Sequence, residues 1–242
     1  MSKILVLASK AEDKIIYPNG EIILKRGGPL YFIEDTFRAL RVNYSLPPEA
    51  TPAKVEIKVL PGGIGETGKI VDSDKLTIPK RLICPNVLIS TIAPTSLDTS
   101  FLNSYKGSVF FDVQGFLRGQ RESNFQNSVW ETVINSIDRV VLKGNSKELS
   151  LIPKVAISLA KRNILIETRG SQGVVVWNQG KRKAFKPPHI VRTENTIGAG
   201  DTFFAAFVSY YLLGCPLSKV VTKALDYTCE FMWTKNQATT RI

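Results

Sequence analysis

Histidine and cysteine are scarce in this chain. Among its 242 residues His189 is the one imidazole, and Cys84, Cys215 and Cys229 are the three thiols. A histidine zinc site or a Ser-His-Asp triad therefore has too few members to be supported. His189 lies in the proline-flanked segment PPHIVRTE and reads as a solvated loop residue rather than a general base. The cysteines are odd in number and scattered, with no CxxC pair. That pattern suits reduced thiols in a cytoplasmic protein, not a disulfide framework.

Long apolar runs are also missing. The longest, residues 203–213, falls short of the roughly 20 residues that cross a bilayer. The N-terminal MSKILVLASK is too short for a signal-peptide core. Neither feature points to a membrane partner. The chain has no repeat, no low-complexity segment, no linker and no dense Lys/Arg block with interleaved aromatics. The excess of 32 basic over 21 acidic residues, net +11, is spread along the chain. It reads as a solvated surface suited to anionic small molecules, with no specific nucleic acid implied. The length is enough for a substantial core, and residues 1–242 read as one domain.

Short apolar runs alternate with helical patterns, which predicts an α/β domain with a mostly parallel sheet. Buried strands are expected over 4–8, 87–91 and 109–113, further strands over 55–60, 139–142 and 164–168, and a β-rich stretch over 69–78. Helices are expected over 30–40, 127–137 and 153–161, with a long final helix opened by Pro216. A hairpin over about 14–27 turns at Pro18-Asn19-Gly20, where Asn-Gly favours a tight turn. A second hairpin turns at Asn178-Gln179-Gly180. Pro47 to Pro52 is a surface loop.

The segment NTIGAGD, residues 195–201, runs straight into the apolar TFFAAFVSYYLLG. It reads as a helix N-terminus stripped of side chains, with a carboxylate at its mouth. Gly198 and Gly200 carry no Cβ to block a phosphoryl group, and free amides at such an end attract anions. Asp201 is placed to take a proton from an attacking hydroxyl. An anion hole beside a base is most of what phosphoryl transfer to an alcohol requires.

Residues 63–70, GIGETGKI, match both GxxxxGK and GxGxxG. A P-loop needs Ser or Thr after Lys69 to hold magnesium and a helix next. Ile70 and the β-branched, proline-terminated KIVDSDKLTIPK supply neither, so a glycine hairpin loop is the better reading.

NTIGAGD resembles the second signature of the ribokinase/PfkB carbohydrate kinases, DTxGAGD, with Asn195 standing for the family's Asp. Other segments resemble that family in the same order along nearly the whole chain. Lys143-Gly144-Asn145-Ser146-Lys147-Glu148 is similar to KxNxxE, and a surface turn before a helix explains the same residues equally well. Thr168 to Gly173 is similar to TxGxxG, which an ordinary strand connection also explains. Residues 112–118, DVQGFLR, resemble DPQGxxR, and Gly27-Gly28 before a helix resembles the first signature. Phe32 and Ile33 stand where the family often has Asn.

The resemblance implies a ribokinase-like three-layer α/β/α fold with a minimal hairpin lid. It implies an enzyme using ATP and magnesium (Mg2+), with Asp201 as base and Gly198, Ala199 and Gly200 as anion hole. Lys143, Asn145, Glu148, Thr168, Gly170 and Gly173 would serve the nucleotide. Asn145 and Glu148 would reach the metal through water. Asp13, Gly27, Gly28, Gln114 and Arg118 would face the alcohol, a sugar, polyol or nucleoside. The short lid and the Gly27-Gly28-Pro29 segment resemble the inositol-kinase-like members most, in a monomer or homodimer. Two alternatives stand beside this reading: a non-catalytic basic nucleotide- or nucleic-acid-binding protein on a kinase-like fold, and a P-loop switch using Lys69.

Overall fold

The computed structural model describes residues 3–48, 51–60, 66–79, 83–118, 130, 132–133, 135, 137–191, 193 and 196–239. Its centre is an eight-stranded sheet in the order β12-β11-β10-β9-β8-β7-β1-β4. The members are β1 (Ile4–Ala8), β4 (Tyr44–Ser45), β7 (Asn86–Ser90), β8 (Ser108–Asp112), β9 (Arg139–Asn145), β10 (Ile164–Thr168), β11 (Val174–Asn178) and β12 (Lys181–Phe185). From β4 to β10 every pairing is parallel; β11 and β12 are antiparallel additions at one edge.

Continuous apolar runs form the inner strands because both faces are covered. In β1, Ile4, Val6 and Ala8 enter one core layer, while Leu5 and Leu7 enter the other. The first layer is filled by α1 (Pro29–Ala39), α5 (Ala199–Leu212) and α6 (Leu217–Thr239). Residues Thr202 to Ser209 of α5 are buried all round, which explains why its sequence lacks a polar stripe. The second layer holds α2 (Gln114–Leu117), α3 (Ser146–Ser150), α4 (Pro153–Arg162) and the 3-10 turns after β7. The helix expected over 127–137 falls mostly outside the described residues; Trp130, Val133 and Ile137 pack in this layer. The α/β fold with its mostly parallel sheet is as expected. The two-residue β4 was too short to show a period.

The lid is larger than expected. The hairpin forms, as β2 (Ala11–Ile16) and β3 (Ile22–Gly27), with Gly20 at φ 86° in its turn. It is half of a four-stranded sheet, β3-β2-β5-β6, completed by β5 (Ala53–Val59) and β6 (Glu66–Asp72). The parallel β2–β5 pairing joins segments about forty residues apart, and no local pattern announces such a contact. Alternation then sets the faces: Ala11, Asp13 and Ile15 are buried while Glu12 and Lys14 are exposed.

The same sheet disposes of the P-loop alternative. Lys69 is exposed within β6, which pairs antiparallel with β5, and a strand stands where a phosphate-binding helix would be needed. Gly63, Ile64 and Gly65 lie outside the described residues. No helix among the described residues is long and apolar enough to cross a membrane.

Candidate active site

The chain order reverses across the sheet between β1 and β7, and the crevice beyond the carboxyl ends of such strands is where open α/β sheets hold ligands. A cleft of about 950 Å³ lies there, between the main sheet and the lid. It gathers Asp13, Gly28, Gln114, Arg118, Lys143, Asn145, Glu148, Thr168, Gly170, Gly173, Gly198, Ala199, Gly200 and Asp201. Of the expected site residues, Gly27 alone does not line it. An added Cβ at Gly27 would collide with the Asp13 carboxyl group, so this glycine makes room for a lining residue.

Gly198 caps α5 in the left-handed region, φ 83°. A Cβ here would also run into the Phe32 ring. The Ala199 amide donates to the Thr196 carbonyl at 3.1 Å. Among the described residues, no acceptor takes the Gly200 and Asp201 amides, which leaves them as the open donors of this turn. Asn195 lies outside the described residues. The Lys235 ammonium of α6 donates to the Ile197 carbonyl at 2.7 Å, anchoring the turn from behind.

Lys143 does not stand free in the cleft. It is buried, and its Nζ lies 2.6 Å from Asp112 Oδ2. A Cβ on Gly200 would come within 3.2 Å of the same nitrogen, so the ammonium sits under the start of α5. Burial opposes the charge, but Asp112 and Asp201 outweigh it and raise the Lys143 pKa. Asp201 lies at the floor of the cleft, where Ser90 Oγ, with one proton to give, is within reach of its Oδ1 at 3.5 Å and of Asp112 Oδ2 at 3.4 Å. Burial pushes its carboxyl up to about 7, Lys143 and Arg118 pull down, and Asp112 adds to the rise. A carboxyl poised there accepts a proton near neutral pH.

Asn145 and Glu148 form a capping box. Asn145 Oδ1 accepts the Glu148 amide, and Glu148 Oε2 accepts the Asn145 amide, both at 2.8 Å. This pairing starts α3 and aims both side chains at the cleft. Burial, then the Asp112 charge, raises the Glu148 pKa. Its Oε1 and the Asn145 Nδ2 have no partner among the described residues. No group of three or more His, Cys, Asp or Glu residues among the described residues could cage a metal directly. The donors present fit a magnesium ion that keeps its waters and takes most ligands from phosphate.

The 168–173 loop makes a 3-10 turn at Gly170–Gln172, with Gly170 at φ 56° and Gly173 at φ 91°. Arg169 is not among the residues that line the cleft; its Nε and an Nη each donate to Glu167 at 2.9 Å.

On the lid side, Asp13 is 4% exposed, and burial raises its pKa against the pull of Lys25 and Arg118. Arg118 has no ion pair or hydrogen bond among the described residues, yet its charge reaches Asp13, Glu148 and Asp201. Thr91 Oγ1 lines the same region, buried and without a hydrogen-bond partner. His189 is exposed at the cleft's edge, where its carbonyl accepts from the Cys229 thiol at 3.5 Å.

Sequence reasoning missed Ser90, Thr91 and the ion-pairing of Asp112, and saw Phe32 only as a departure. Asp112 stood inside the DVQGFLR segment, and its position at the carboxyl end of a buried strand was the available signal.

A model of the pfkB family carbohydrate kinases matches residues 98–229, more than half of the chain. No curated protein matches it by sequence. Solved structures resemble it over most of their length. The ribokinase of Cryptococcus neoformans var. grubii serotype A, in complex with ADP, is 13% identical with a TM-score of 0.73, covering 95% of this chain and 93% of that one. The nucleoside kinase of Methanocaldococcus jannaschii is 18% identical with a TM-score of 0.68, covering 95% and 91%. A pyrophosphate-dependent kinase in the ribokinase family, complexed with a pyrophosphate analogue and myo-inositol, is 16% identical with a TM-score of 0.66, covering 95% and 94%. At these identities the likeness is one of fold. Because the family model spans more than half of the chain, and the matched segment carries Lys143, the capping box and the GAGD turn that line the cleft, the chain belongs to the pfkB family of carbohydrate kinases.

Proposed function

We propose that this protein is a kinase that moves the γ-phosphoryl group of ATP to an alcohol hydroxyl of a sugar, a polyol such as inositol, or a nucleoside. One observation carries the reading: the Asp201 carboxyl, pushed up to about 7, opens onto the same cleft floor as the unclaimed amides of Gly200 and Asp201. An acceptor hydroxyl beside Asp201 loses its proton to that carboxylate as its oxygen bonds to phosphorus. The bond from phosphorus to the bridging oxygen breaks, and ADP leaves with the electron pair.

The left-handed Gly198 turns the chain so that the amide cradle meets the transferring group. Asp13, Gln114, Thr91 and Arg118 face the acceptor side, where Arg118 offsets the local excess of carboxylates. Thr168, Gly170 and Gly173 shape the phosphate loop, and Glu148 and Asn145 would hold a magnesium ion through its waters. When bound, that ion neutralises triphosphate charge.

A nucleotide suits the cleft better than bare pyrophosphate. Val174, Pro187, Ile190, Val191, Leu225 and Met232 are among its lining residues, and such apolar side chains pack against a flat base but donate nothing to pyrophosphate. The four-stranded lid removes the short-lid ground for favouring inositol-kinase-like members, so sugars and nucleosides stand level with inositol.

The test is acceptor-dependent ADP release across a panel of sugars, polyols and nucleosides, with phosphorylated product identified by mass and with pyrophosphate as a parallel donor. Failure of every acceptor on the panel to stimulate ADP release would overturn the reading. So would salt-steep nucleic-acid binding without any transfer.

A further inference from the structure

Asp74 is a buried carboxyl group that the reaction above does not use. It is 1% exposed and lies two residues after β6, on the chain's return from lid to main sheet. Its Oδ1 accepts two hydroxyl hydrogen bonds, from Ser9 Oγ at 3.0 Å and from Ser96 Oγ at 2.6 Å. Its Oδ2 is buried without a hydrogen-bond partner.

Ser9 occupies the outward crossing, between the end of β1 and the start of β2. The other crossings meet it there. An added Cβ on Gly28, where β3 returns into α1, would strike the Ser9 carbonyl and the Ala11 amide. The Leu30 amide donates to Ser9 O, and the Ala53 amide, where the chain enters β5, donates to Lys10 O. Ser9 is also tied to the floor of the site. Its amide donates to Ser90 O at 3.0 Å, its Oγ accepts the Ile92 amide at 3.1 Å, and Ser90 Oγ lies within hydrogen-bond reach of Asp112 and Asp201. On the return side, Leu76 N donates to Ser96 O at 2.8 Å.

All four passages between the sheets therefore converge on residues 9–10, and one side chain from the last passage clamps the first. We infer that Asp74 is a positioning residue: its carboxyl group, gripping Ser9 and Ser96, pins the lid's pivot and so fixes where Asp13 and the inner lid face stand over the acceptor. A hydrophobic plug of that size would fill the space but could not hold two hydroxyls in register. The inference about acceptor binding rests on the kinase reading; the pinning of the lid does not.

Two measurements separate them. Hydrogen exchange of the apo protein needs no substrate. Asp74→Ala is expected to speed exchange in β2, β3 and β5 about tenfold while β7 to β10 stay within twofold. Asp74→Asn, which keeps an oxygen for both serines, is expected to restore slow exchange. Unchanged lid exchange in a folded Asp74→Ala protein, or equal acceleration of lid and main sheet, overturns the pivot. If Asp74→Ala does not fold, Ser96→Ala is the variant read by the same criterion. Where an acceptor is known, Asp74→Ala is expected to raise the acceptor KM about tenfold with the ATP KM within twofold, and to raise ATP hydrolysis without acceptor. A rise in both KM values alike overturns the acceptor role while leaving the exchange result to stand or fall by itself.

Discussion

Lys143 Nζ and Asp112 Oδ2 lie 2.6 Å apart beneath the first turn of α5, with side chains 5% and 1% exposed. Two further carboxyl groups, Asp201 and Glu148, sense this lysine. The pair thus places a fixed cation beside Asp201 and, with its charges matched, meets a need of the fold, since a lone buried carboxylate is costly.

Removing the cation tests both roles. Lys143→Met is expected to destabilise the protein by about 3–5 kcal/mol, because Asp112 is left buried without its partner. The Asp201 carboxyl loses the charge that lowers it most, so the pH at which activity begins should move above about 7. Denaturant melts and a pH profile measure the two effects. A variant as stable as the parent, with an unmoved profile, would remove Lys143 from both roles.

For Asp201 the pH dependence has a definite sign in each experiment. As a base it must be ionised, so kcat/KM is expected to climb with pH and level off above about 7. Asp201→Asn should lose that limb along with about 10²–10⁴-fold in turnover, while still binding ATP in a calorimetric titration. Stability runs the other way. The folded value of about 7 lies above the ordinary 3.8, so the folded state holds this proton more tightly than the unfolded chain. That contribution is complete below pH 3.8 and lost as pH rises through about 7, amounting to at most about 4 kcal/mol. Relative to the parent, Asp201→Asn should therefore melt higher at pH 8 than at pH 4; a difference independent of pH would place the Asp201 proton elsewhere.

Gly27 and Gly20 give a matched pair of glycine replacements. Gly20→Ala meets open space but must hold φ 86°, a cost of about 1 kcal/mol with no effect on activity. Gly27→Ala has no positive φ to hold; its Cβ would overlap the Asp13 carboxyl group instead. It is expected to cost about 1–3 kcal/mol by overpacking and to raise the acceptor KM several-fold as Asp13 moves. Equal kinetics in the two variants would mean that Asp13 does not contact the acceptor.

What could be read from the chain follows the range of each interaction. The strands Ile4–Ala8 and Ile164–Thr168 lie where the continuous apolar runs put them, since burial on both faces leaves a local mark. The GAGD turn was legible because left-handed backbone and helix start are written in adjacent residues. The β5–β6 half of the lid was seen as strands but not as lid, because its parallel partner β2 is remote in sequence. Asn145 and Glu148 show a further limit: the same NxxE spacing serves as a capping box and as a pair facing the cleft, and spacing alone cannot separate the two. Nor could it reveal that Lys143 would be occupied by Asp112.

The Phe32 ring under Gly198 explains a departure that sequence reading could only note, and it gives a double-mutant experiment. Where the resembled signature often carries a polar residue, this chain has an aromatic ring, 5% exposed, packed edge-on against Phe231 at 6.0 Å. Gly198→Ala faces two separable costs, the left-handed φ of 83° and the collision with that ring. Together they are expected to displace the amide cradle and lower kcat about 10–100-fold, about 1.4–2.7 kcal/mol of transition-state stabilisation. Phe32→Ala alone opens a cavity and should lower stability by about 3–5 kcal/mol while leaving most of kcat. Combined, the two substitutions should be less harmful to kcat than their product, because the ring is no longer there to push the turn aside, and only the backbone strain remains. Strict additivity of the two effects in kcat would mean that the ring does not set the position of the cradle, and that the strain at Gly198 alone accounts for the loss.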